Sequence, residues 1–185
     1  MRLFVALEVL GTVRAEIAAA VASARQRYAD LRWVDGDGLH LTLAYLGSVD
    51  AAPDDVAAVV APAAAVAGPI ALRLTDAGRF DGRVLWVGVD DDPAGAVAAL
   101  GADAQGRIAA AGLPVDRKPV RPHLTVARSR TPRGVTREVV AALAPVSSGW
   151  VAREVAVVAL LPAGHGVPNR YEAMASLVLG SSTTS

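Results

Sequence analysis

Two kinds of apolar segment alternate along this chain. Short runs rich in valine, leucine and isoleucine, bounded by turn residues, predict β-strands, whereas longer alanine-rich segments with interspersed polar residues predict helices. The predicted strands cover 2–7, 32–34, 39–46, 70–74, 83–89, 122–128, 151–160 and 171–179. The predicted helices cover 13–28, 53–67, 93–111 and 135–143. Turn and breaker residues predict a turn at 35–38, a loop at 162–169 and a flexible polar tail at 181–185.

The order of these elements contains an internal repeat. A strand, an alanine-rich helix and a strand that opens on histidine occur twice, and residues 4–7 match 86–89 at an offset of 82. The opening histidines, His40 and His123, are 83 positions apart. Duplication of this kind predicts two similar lobes that face each other across a pseudo-twofold axis, with a cleft at their junction. We therefore expect the 185 residues to form a single bilobal domain.

The two histidine strands share a four-residue motif. It reads His40-Leu41-Thr42-Leu43 in the first half and His123-Leu124-Thr125-Val126 in the second, and it includes two of the three histidines. Because successive residues of a strand point to opposite faces, each motif presents an imidazole and a hydroxyl on one face and buries two aliphatic residues behind them.

Composition indicates a globular protein. Hydrophobic residues make up 53% of the chain and charged residues 19%, while the formal net charge is zero. Bulk charge therefore favours neither nucleic acid nor membrane surfaces. The absence of cysteine excludes disulfides, thiolate nucleophiles and cysteine-based zinc sites. Since neither a signal peptide nor a long uncharged apolar run is present, we expect a cytoplasmic protein with no membrane contact.

Cations are concentrated around the second motif. Seven of them, and no acidic residue, lie between positions 117 and 137: Arg117, Lys118, Arg121, Arg128, Arg130, Arg133 and Arg137. Against a neutral whole this is a local electropositive strip, and we expect one or two of its members to contact phosphate while the others are solvated. Trp33 is a candidate contact at the edge of the cleft, and His165 is expected to be an exposed loop residue.

Two imidazoles that face one cleft favour general acid and base catalysis, because histidine titrates near neutrality. Thr42 and Thr125 can donate hydrogen bonds to an anion held between the rings. No serine or cysteine nucleophile accompanies the motifs, so water or a substrate hydroxyl would be the nucleophile. These features favour a phosphodiester substrate over acyl transfer. Since His-x-Thr is not a usual ligand spacing and neither motif strand contains an acid, we expect no metal and no cofactor.

The motifs and their flanks resemble the two-histidine (2H) phosphoesterase superfamily, specifically the LigT-like RNA 2′,3′-cyclic phosphodiesterases, also called RNA 2′,5′-ligases. The resemblance covers most of the chain and is carried by residues 2–7, 32–34, 40–47, 83–89 and 122–128, with Tyr171 opening the last strand. It implies an α+β fold in which two antiparallel sheets face a central cleft with helices on the outside.

The same resemblance implies hydrolysis of a terminal 2′,3′-cyclic phosphate to a 2′-phosphate without metal. His40 would protonate the departing 3′ oxygen, His123 would activate water, and Thr42 and Thr125 would hold the nonbridging phosphate oxygens. The reverse reaction, which joins a 5′-hydroxyl to the cyclic end, is 2′,5′-RNA ligation. The implied partners are RNA ends with a cyclic phosphate or small cyclic nucleotides, and we expect a monomer.

The position of Arg128 bears on which histidine acts as the acid and which as the base. At the repeat offset of 83 it corresponds to Tyr45, so only the second motif carries a nearby guanidinium. A cation beside an imidazole disfavours its protonated form, which suits His123 as the base. Strict alternation places Arg128 on the face opposite His123, and it reaches the cleft only if the strand bulges, twists or ends first. Arg128 and Arg130 are the candidate phosphate contacts.

Two other functions remain open from the sequence. One is a noncatalytic module that binds RNA ends or nucleotides in the same cleft. The other is a phosphodiesterase that acts on a small molecule, such as a cyclic phosphate of ADP-ribose.

Overall fold

The computed structural model describes residues 1–161 and 170–180, and its strands form two antiparallel sheets. The first sheet has the order β3-β1-β8-β9 and the second β2-β6-β5-β4-β7. The strands are β1 (Arg2–Leu7), β2 (Arg32–Trp33), β3 (Leu41–Ser48), β4 (Ile70–Phe80), β5 (Val84–Asp92), β6 (His123–Arg128), β7 (Gly149–Ala152), β8 (Glu154–Leu161) and β9 (Arg170–Val178). The predicted loop at 162–169 and the predicted tail at 181–185 lie outside the described residues.

Four α-helices lie in the described part of the chain. They are α1 (Gly11–Arg27), α2 (Pro53–Val66), α3 (Ala96–Ala110) and α4 (Arg137–Ala141), and a single 3₁₀ turn covers Gly36–Gly38. Pro53 occupies the first turn of α2, where its missing N–H has no helical partner to lose. Thr136 caps α4 by accepting a hydrogen bond from the Val139 N–H. None of the described helices is long and apolar enough to span a membrane.

The two sheets repeat one arrangement. The order β3-β1-β8-β9 in the first corresponds to β6-β5-β4-β7 in the second, and β2 adds an edge strand beside β6. The motif strands β3 and β6 approach each other where the sheets meet. The predicted α+β fold with two lobes and two antiparallel sheets is therefore confirmed.

The register of the strands corrects the alignment of the repeat. Ala6 pairs with Thr42 and Trp86 pairs with Thr125. Ala6 and not Phe4 is thus the counterpart of Trp86, and the predicted offset of β1 and β5 was wrong by two residues. A displacement by two keeps every side chain on its face, so the predicted faces are unaffected.

Some predicted boundaries were also wrong. The predicted strand 151–160 is two strands, because the chain leaves the second sheet after β7 and enters the first as β8. β4 continues to Phe80 beyond the predicted end at 74. Its polar residues after Leu74 remain in the strand because they pair with β5, across an irregularity in register. The helices α3 and α4 are shorter than predicted.

One hydrophobic core joins both lobes. It contains aliphatic residues of β1 and β3 from the first sheet, of β5 and β6 from the second, and of α1, α2 and α3. The Trp150 Nε1–H in β7 also donates to the Glu8 carbonyl just beyond β1, at 3.1 Å. A smaller apolar cluster of Phe4, Ala6, Ala156 and Val158 lies on the other face of the first sheet. Because β1 is buried on both faces, it reads as a continuous apolar run.

Candidate active site

The two motif histidines are held in the same way. The His40 Nδ1–H donates to the Gly38 carbonyl at 2.7 Å, and the His123 Nδ1–H donates to the Arg121 carbonyl at 2.6 Å. A carbonyl only accepts, so each contact places the proton on Nδ1 and leaves Nε2 as the nitrogen able to exchange a proton with a ligand. The acceptor lies two residues before the histidine in both lobes, as the duplication requires.

Aromatic rings of the first sheet surround His40. Its ring centroid lies 4.4 Å from that of Phe4 and 5.2 Å from that of Tyr171. Ala6 is the β1 residue opposite Thr42, and its small side chain leaves room for the imidazole to reach Phe4 across the strand. Since Phe4 and Ala6 belong to the smaller apolar cluster, these contacts place His40 on the cleft face of the first sheet.

A second aromatic pair surrounds His123. Its ring lies edge-on to Phe80 at 5.0 Å and to Trp86 at 6.4 Å. The indole of Trp86 covers Gly78 on β4, where a Cβ would come within 2.2 Å of the ring. Only glycine leaves space there, so Gly78 allows the indole to cover β4 while its ring lies edge-on to His123.

The motif threonines occupy the same face as the histidines. Thr42 and Thr125 are half-buried, whereas the aliphatic neighbours Leu41 and Leu124 are fully buried in the core. The alternation predicted for both motifs is thus present. It directs two imidazoles and two hydroxyls toward the junction of the sheets.

A β-bulge redirects the end of β6. Thr125 and Ala127 pair with consecutive residues of β5, so Val126 is an extra residue in the strand. Val126 and Ala127 are both buried, and the next residue, Arg128, is exposed on the face of Thr125. The bulge that Arg128 needs to reach the cleft is therefore present.

The first lobe has the corresponding bulge. Thr42 and Ala44 pair with consecutive residues of β1, which makes Leu43 the extra residue. Tyr45 then lies directly opposite Phe4 on the cleft face and is 45% exposed. Tyr45 and Arg128 thus take equivalent places in the two lobes.

Each bulge carbonyl finds a partner outside its strand pair. The Leu43 carbonyl accepts from the buried Gln105 Nε2 at 2.8 Å, and the Val126 carbonyl accepts from the Val34 N–H at 2.9 Å. A buried carbonyl without a partner costs free energy, so these contacts stabilise the bulges. Gln105 on α3 and Val34 after β2 are consequently positioning residues for the cleft.

Burial and charge hold both histidines neutral in the free protein. The pKa of His40 is lowered from 6.5 to about 4, mainly by desolvation and in smaller part by the positive charges of Arg128 and Arg14 and the charge that His123 carries when protonated. Desolvation also lowers the pKa of His123, again with a contribution from Arg128. The charge of Arg128 lowers the pKa of both histidines, which indicates that its guanidinium lies near both rings.

These charges correct the argument that Arg128 distinguishes the two histidines. The guanidinium lowers the pKa of both rings, because the bulge directs it toward the junction of the lobes. His40 has its pKa lowered strongly, through burial against Phe4 and Tyr171. Electrostatics of the free protein therefore do not single out His123 as the base.

The structure does not bring Trp33 to the histidines. Trp33 pairs with the buried Ala127 and packs against the main core, and its indole N–H donates to the Tyr28 carbonyl at 3.0 Å. Arg32, the preceding residue, occupies the cleft face instead, since it pairs with Arg128. Arg130 is exposed in the loop after β6, and the other cations of the electropositive strip are exposed as well. His165 lies outside the described residues.

The aromatic residues around the histidines were not among the predicted site residues. Phe4 and Trp86 could have been found from the sequence, because each is an aromatic residue within an otherwise aliphatic strand of the repeat. Phe80 lies beyond the predicted end of β4, and Tyr171 reaches His40 from a strand far along the chain. Among the described residues, no group of three or more histidine or acidic side chains is arranged to hold a metal ion.

Fold and site together define a bilobal protein with one histidine and one threonine from each lobe at a shared cleft. The profile of the 2′-5′ RNA ligase superfamily matches residues 13–161. The chain belongs to this superfamily.

Two curated relatives share its sequence over about half of its length. An RNA 2′,3′-cyclic phosphodiesterase of Geobacillus stearothermophilus is 35% identical over 103 residues, which are 52% of this chain and 32% of that protein. The enzyme of the same name from Escherichia coli K12 is 35% identical over 98 residues, covering 52% and 54%. The chain thus matches about half, or less, of the length of these relatives.

Solved structures match nearly the whole chain. The protein TT0787 of Thermus thermophilus has a TM-score of 0.76 and 26% identity, covering 97% of this chain and 98% of its own. LigT of E. coli in complex with 3′-AMP has a TM-score of 0.74 and 26% identity, with the same coverage.

Proposed function

We propose that this protein hydrolyses terminal 2′,3′-cyclic phosphates of RNA or of nucleotides to 2′-phosphates, with the two histidines as acid and base and without a metal ion. The names of the curated relatives support the reaction class. The 3′-AMP bound to the similar LigT supports a nucleotide or an RNA end as the substrate.

One observation carries the proposal. Both histidines use Nδ1 for a backbone carbonyl and keep Nε2 for the cleft, and both have a threonine two residues further on the same face. Acid and base catalysis at phosphorus requires two such nitrogens on opposite sides of the reacting phosphate. The pseudo-twofold axis relates the two lobes, and each lobe supplies one of these nitrogens.

The reaction then needs only these groups and water. His123 Nε2 takes a proton from water as the oxygen attacks phosphorus, and His40 Nε2 gives a proton to the 3′ oxygen as the P–O3′ bond breaks. The phosphate remains on the 2′ oxygen. Thr42 and Thr125 donate to the nonbridging oxygens, with Arg128 as a further cation for the charge that develops there.

Binding of the substrate favours protonation of His40, the proposed acid. At neutral pH the lowered pKa of His40 leaves it unprotonated in the free protein. An anionic phosphate between the rings favours the charged imidazolium and raises this pKa in the complex. The proposed acid therefore gains its proton together with the substrate.

The same groups support ligation. If a 5′-hydroxyl of a second RNA replaces water, His123 takes the proton of that hydroxyl and His40 protonates the departing 3′ oxygen, so a 2′,5′ linkage forms from the cyclic end with both histidines in the same roles. Ligation is part of the proposal because it uses the same acid and base as hydrolysis, and the two histidines exchange roles only when the 2′,5′ linkage is cleaved back to the cyclic end.

Product analysis tests the proposal. An oligonucleotide with a 2′,3′-cyclic phosphate is incubated with the protein in excess chelator, and the product is identified as a 2′- or 3′-phosphate. We expect the 2′-phosphate, and a fall in kcat of about a hundredfold or more for His40→Ala and for His123→Ala. Arg153→Gln, which alters an exposed arginine between β7 and β8, serves as the matched surface control.

Four outcomes would contradict parts of this proposal. Full activity in the double histidine variant excludes histidine catalysis, and loss of wild-type activity in chelator excludes metal independence. Tight binding of the cyclic end without any product favours a noncatalytic module. A much faster rate on a cyclic phosphate of ADP-ribose identifies a small-molecule substrate.

A further inference from the structure

Two arginines lie directly opposite each other at the edge of the second sheet. Arg32 on β2 pairs with Arg128 on β6 across an antiparallel ladder. The neighbouring pair, Trp33 and Ala127, turns toward the core, so alternation directs both arginines to the cleft face. Both are exposed.

Like charges in directly opposed positions destabilise a strand pair unless something neutralises them. The four ion pairs in the described part of the chain include neither Arg32 nor Arg128. Asp35, one of the acids nearest Arg32 in sequence, pairs with Arg25 instead. The two segments outside the described residues contain no aspartate or glutamate side chain. Among the described residues, no carboxylate side chain therefore forms an ion pair with either guanidinium.

We propose that Arg32 and Arg128 together bind a second phosphate, that of the internucleotide linkage preceding the cyclic end of an RNA. The inference rests on the proposed function and adds a preference for oligonucleotides over mononucleotides. Guanidinium groups suit this ligand because their planar array of N–H donors matches phosphate oxygens.

The geometry places this second phosphate beside the first. Arg128 is three residues from Thr125 along β6, at most ~10 Å at the rise of a strand. Arg32 lies one strand further, about 5 Å away. A chain that enters with its terminal phosphate at the histidines then passes Arg128 and reaches Arg32 at the β2 edge. Tyr45 occupies the place of Arg128 in the first lobe, so the cation is confined to the second sheet.

A ratio of specificities tests the inference. Values of kcat/KM are measured for a 2′,3′-cyclic mononucleotide and for a trinucleotide with the same cyclic end, in the wild type, Arg32→Gln and Arg32→Lys. We expect the ratio of trinucleotide to mononucleotide to fall about fivefold or more in Arg32→Gln and to recover only in part in Arg32→Lys, which restores the charge but not the planar donors. The dependence of log KM for the trinucleotide on log salt should lose about 0.7 of its slope in Arg32→Gln. Arg153→Gln should leave the ratio at its wild-type value.

A binding measurement separates this inference from the proposed function. The affinity of a fluorescent trinucleotide with a 2′-phosphate end is measured by anisotropy in the wild type and Arg32→Gln. Weaker binding in the variant supports the subsite even if no substrate is turned over. An unchanged ratio with unchanged affinity overturns it, as does an equal loss for mononucleotide and trinucleotide.

Discussion

Burial of His40 between Phe4 and Tyr171 has a consequence for stability. Its folded pKa of about 4 lies below the value of 6.5 for an unfolded chain, so the unfolded state binds the extra proton between these values. The stability conferred by neutral His40 is fully present above pH 6.5 and is lost as the pH falls toward 4. Between pH 7.5 and 5 the loss is about 2 kcal/mol.

Urea denaturation of the wild type and of His40→Asn at these two pH values checks this expectation. The variant should lose about 2 kcal/mol less than the wild type over the same interval. Equal losses in both proteins would show that His40 titrates with its ordinary pKa in the folded state.

The pH dependence of turnover follows from the same pair of rings. The proposed reaction requires a protonated His40 and a neutral His123 in the free protein, and the pKa of each is lowered. The fraction of protein with this pairing is greatest between the two values. We expect the maximum of kcat/KM below pH 6.5, and the maximum of kcat at a higher pH because the bound phosphate raises the pKa of the acid. A maximum of kcat/KM at pH 7.5 or above would contradict the assignment.

At the residue scale, sequence reasoning identified the groups whose position depends only on alternation. His40, Thr42, His123 and Thr125 share a face because each pair is two residues apart within a strand. Arg128 required knowledge of a bulge, which depends on how the strand pairs with its neighbour. Tyr171 comes from a distant strand, and no local pattern indicates which residues it contacts.

The bulge in β3 depends on helix α3. Gly101 of this helix is buried where a Cβ would lie 2.4 Å from the Val120 side chain and 3.3 Å from the Leu43 carbonyl. Gly101→Ala should therefore destabilise the protein by about 1–3 kcal/mol through overpacking. Gly106 in the same helix has open space around it, and Gly106→Ala should stabilise by about 0.5–1 kcal/mol.

Urea denaturation of the two alanine variants provides the matched comparison, since both make the same change in one helix. A lower kcat in Gly101→Ala, measured under conditions where the variant is fully folded, would show that α3 also positions the motif. Stabilisation by both substitutions would contradict the close approach of α3 to the bulge.

Element boundaries were least predictable where the sheets impose them. Residues 151–160 are apolar except for Arg153 and Glu154, and the chain crosses between the sheets at this charged pair. The pair marks the interruption, but membership of two different sheets depends on partners elsewhere in the chain. The end of β4 was missed for a related reason, since pairing with β5 maintains polar residues in a strand.

For the molecule as a whole, the continuous core predicts a single cooperative unit. All three tryptophans lie in the second sheet, on β2, β5 and β7, whereas far-UV circular dichroism reports both sheets and the helices. Unfolding in urea followed by tryptophan fluorescence and by circular dichroism should give coincident transitions. A fluorescence transition at a different urea concentration would show that the lobes unfold separately.

The duplication was visible in the sequence at this scale because it repeats both the motif and the order of elements. Its exact register was not visible, since β1 and β5 are too uniformly apolar to mark a shift of two residues. Strand pairing resolved the shift by matching Ala6 with Thr42 and Trp86 with Thr125.

Completion of the first sheet by β8 and β9 affects how the protein is made. The ribosome synthesises β1 and β3 early, but their sheet is complete only when residues up to Val178 have emerged. One edge of β1 stays exposed until β8 has emerged, and Tyr171 is absent from the side of His40 until β9 has emerged. The second sheet, whose last strand β7 ends at Ala152, has all five of its strands available earlier and can fold first. The cleft therefore matures late in translation, and an incomplete chain carries both histidine motifs without a finished site.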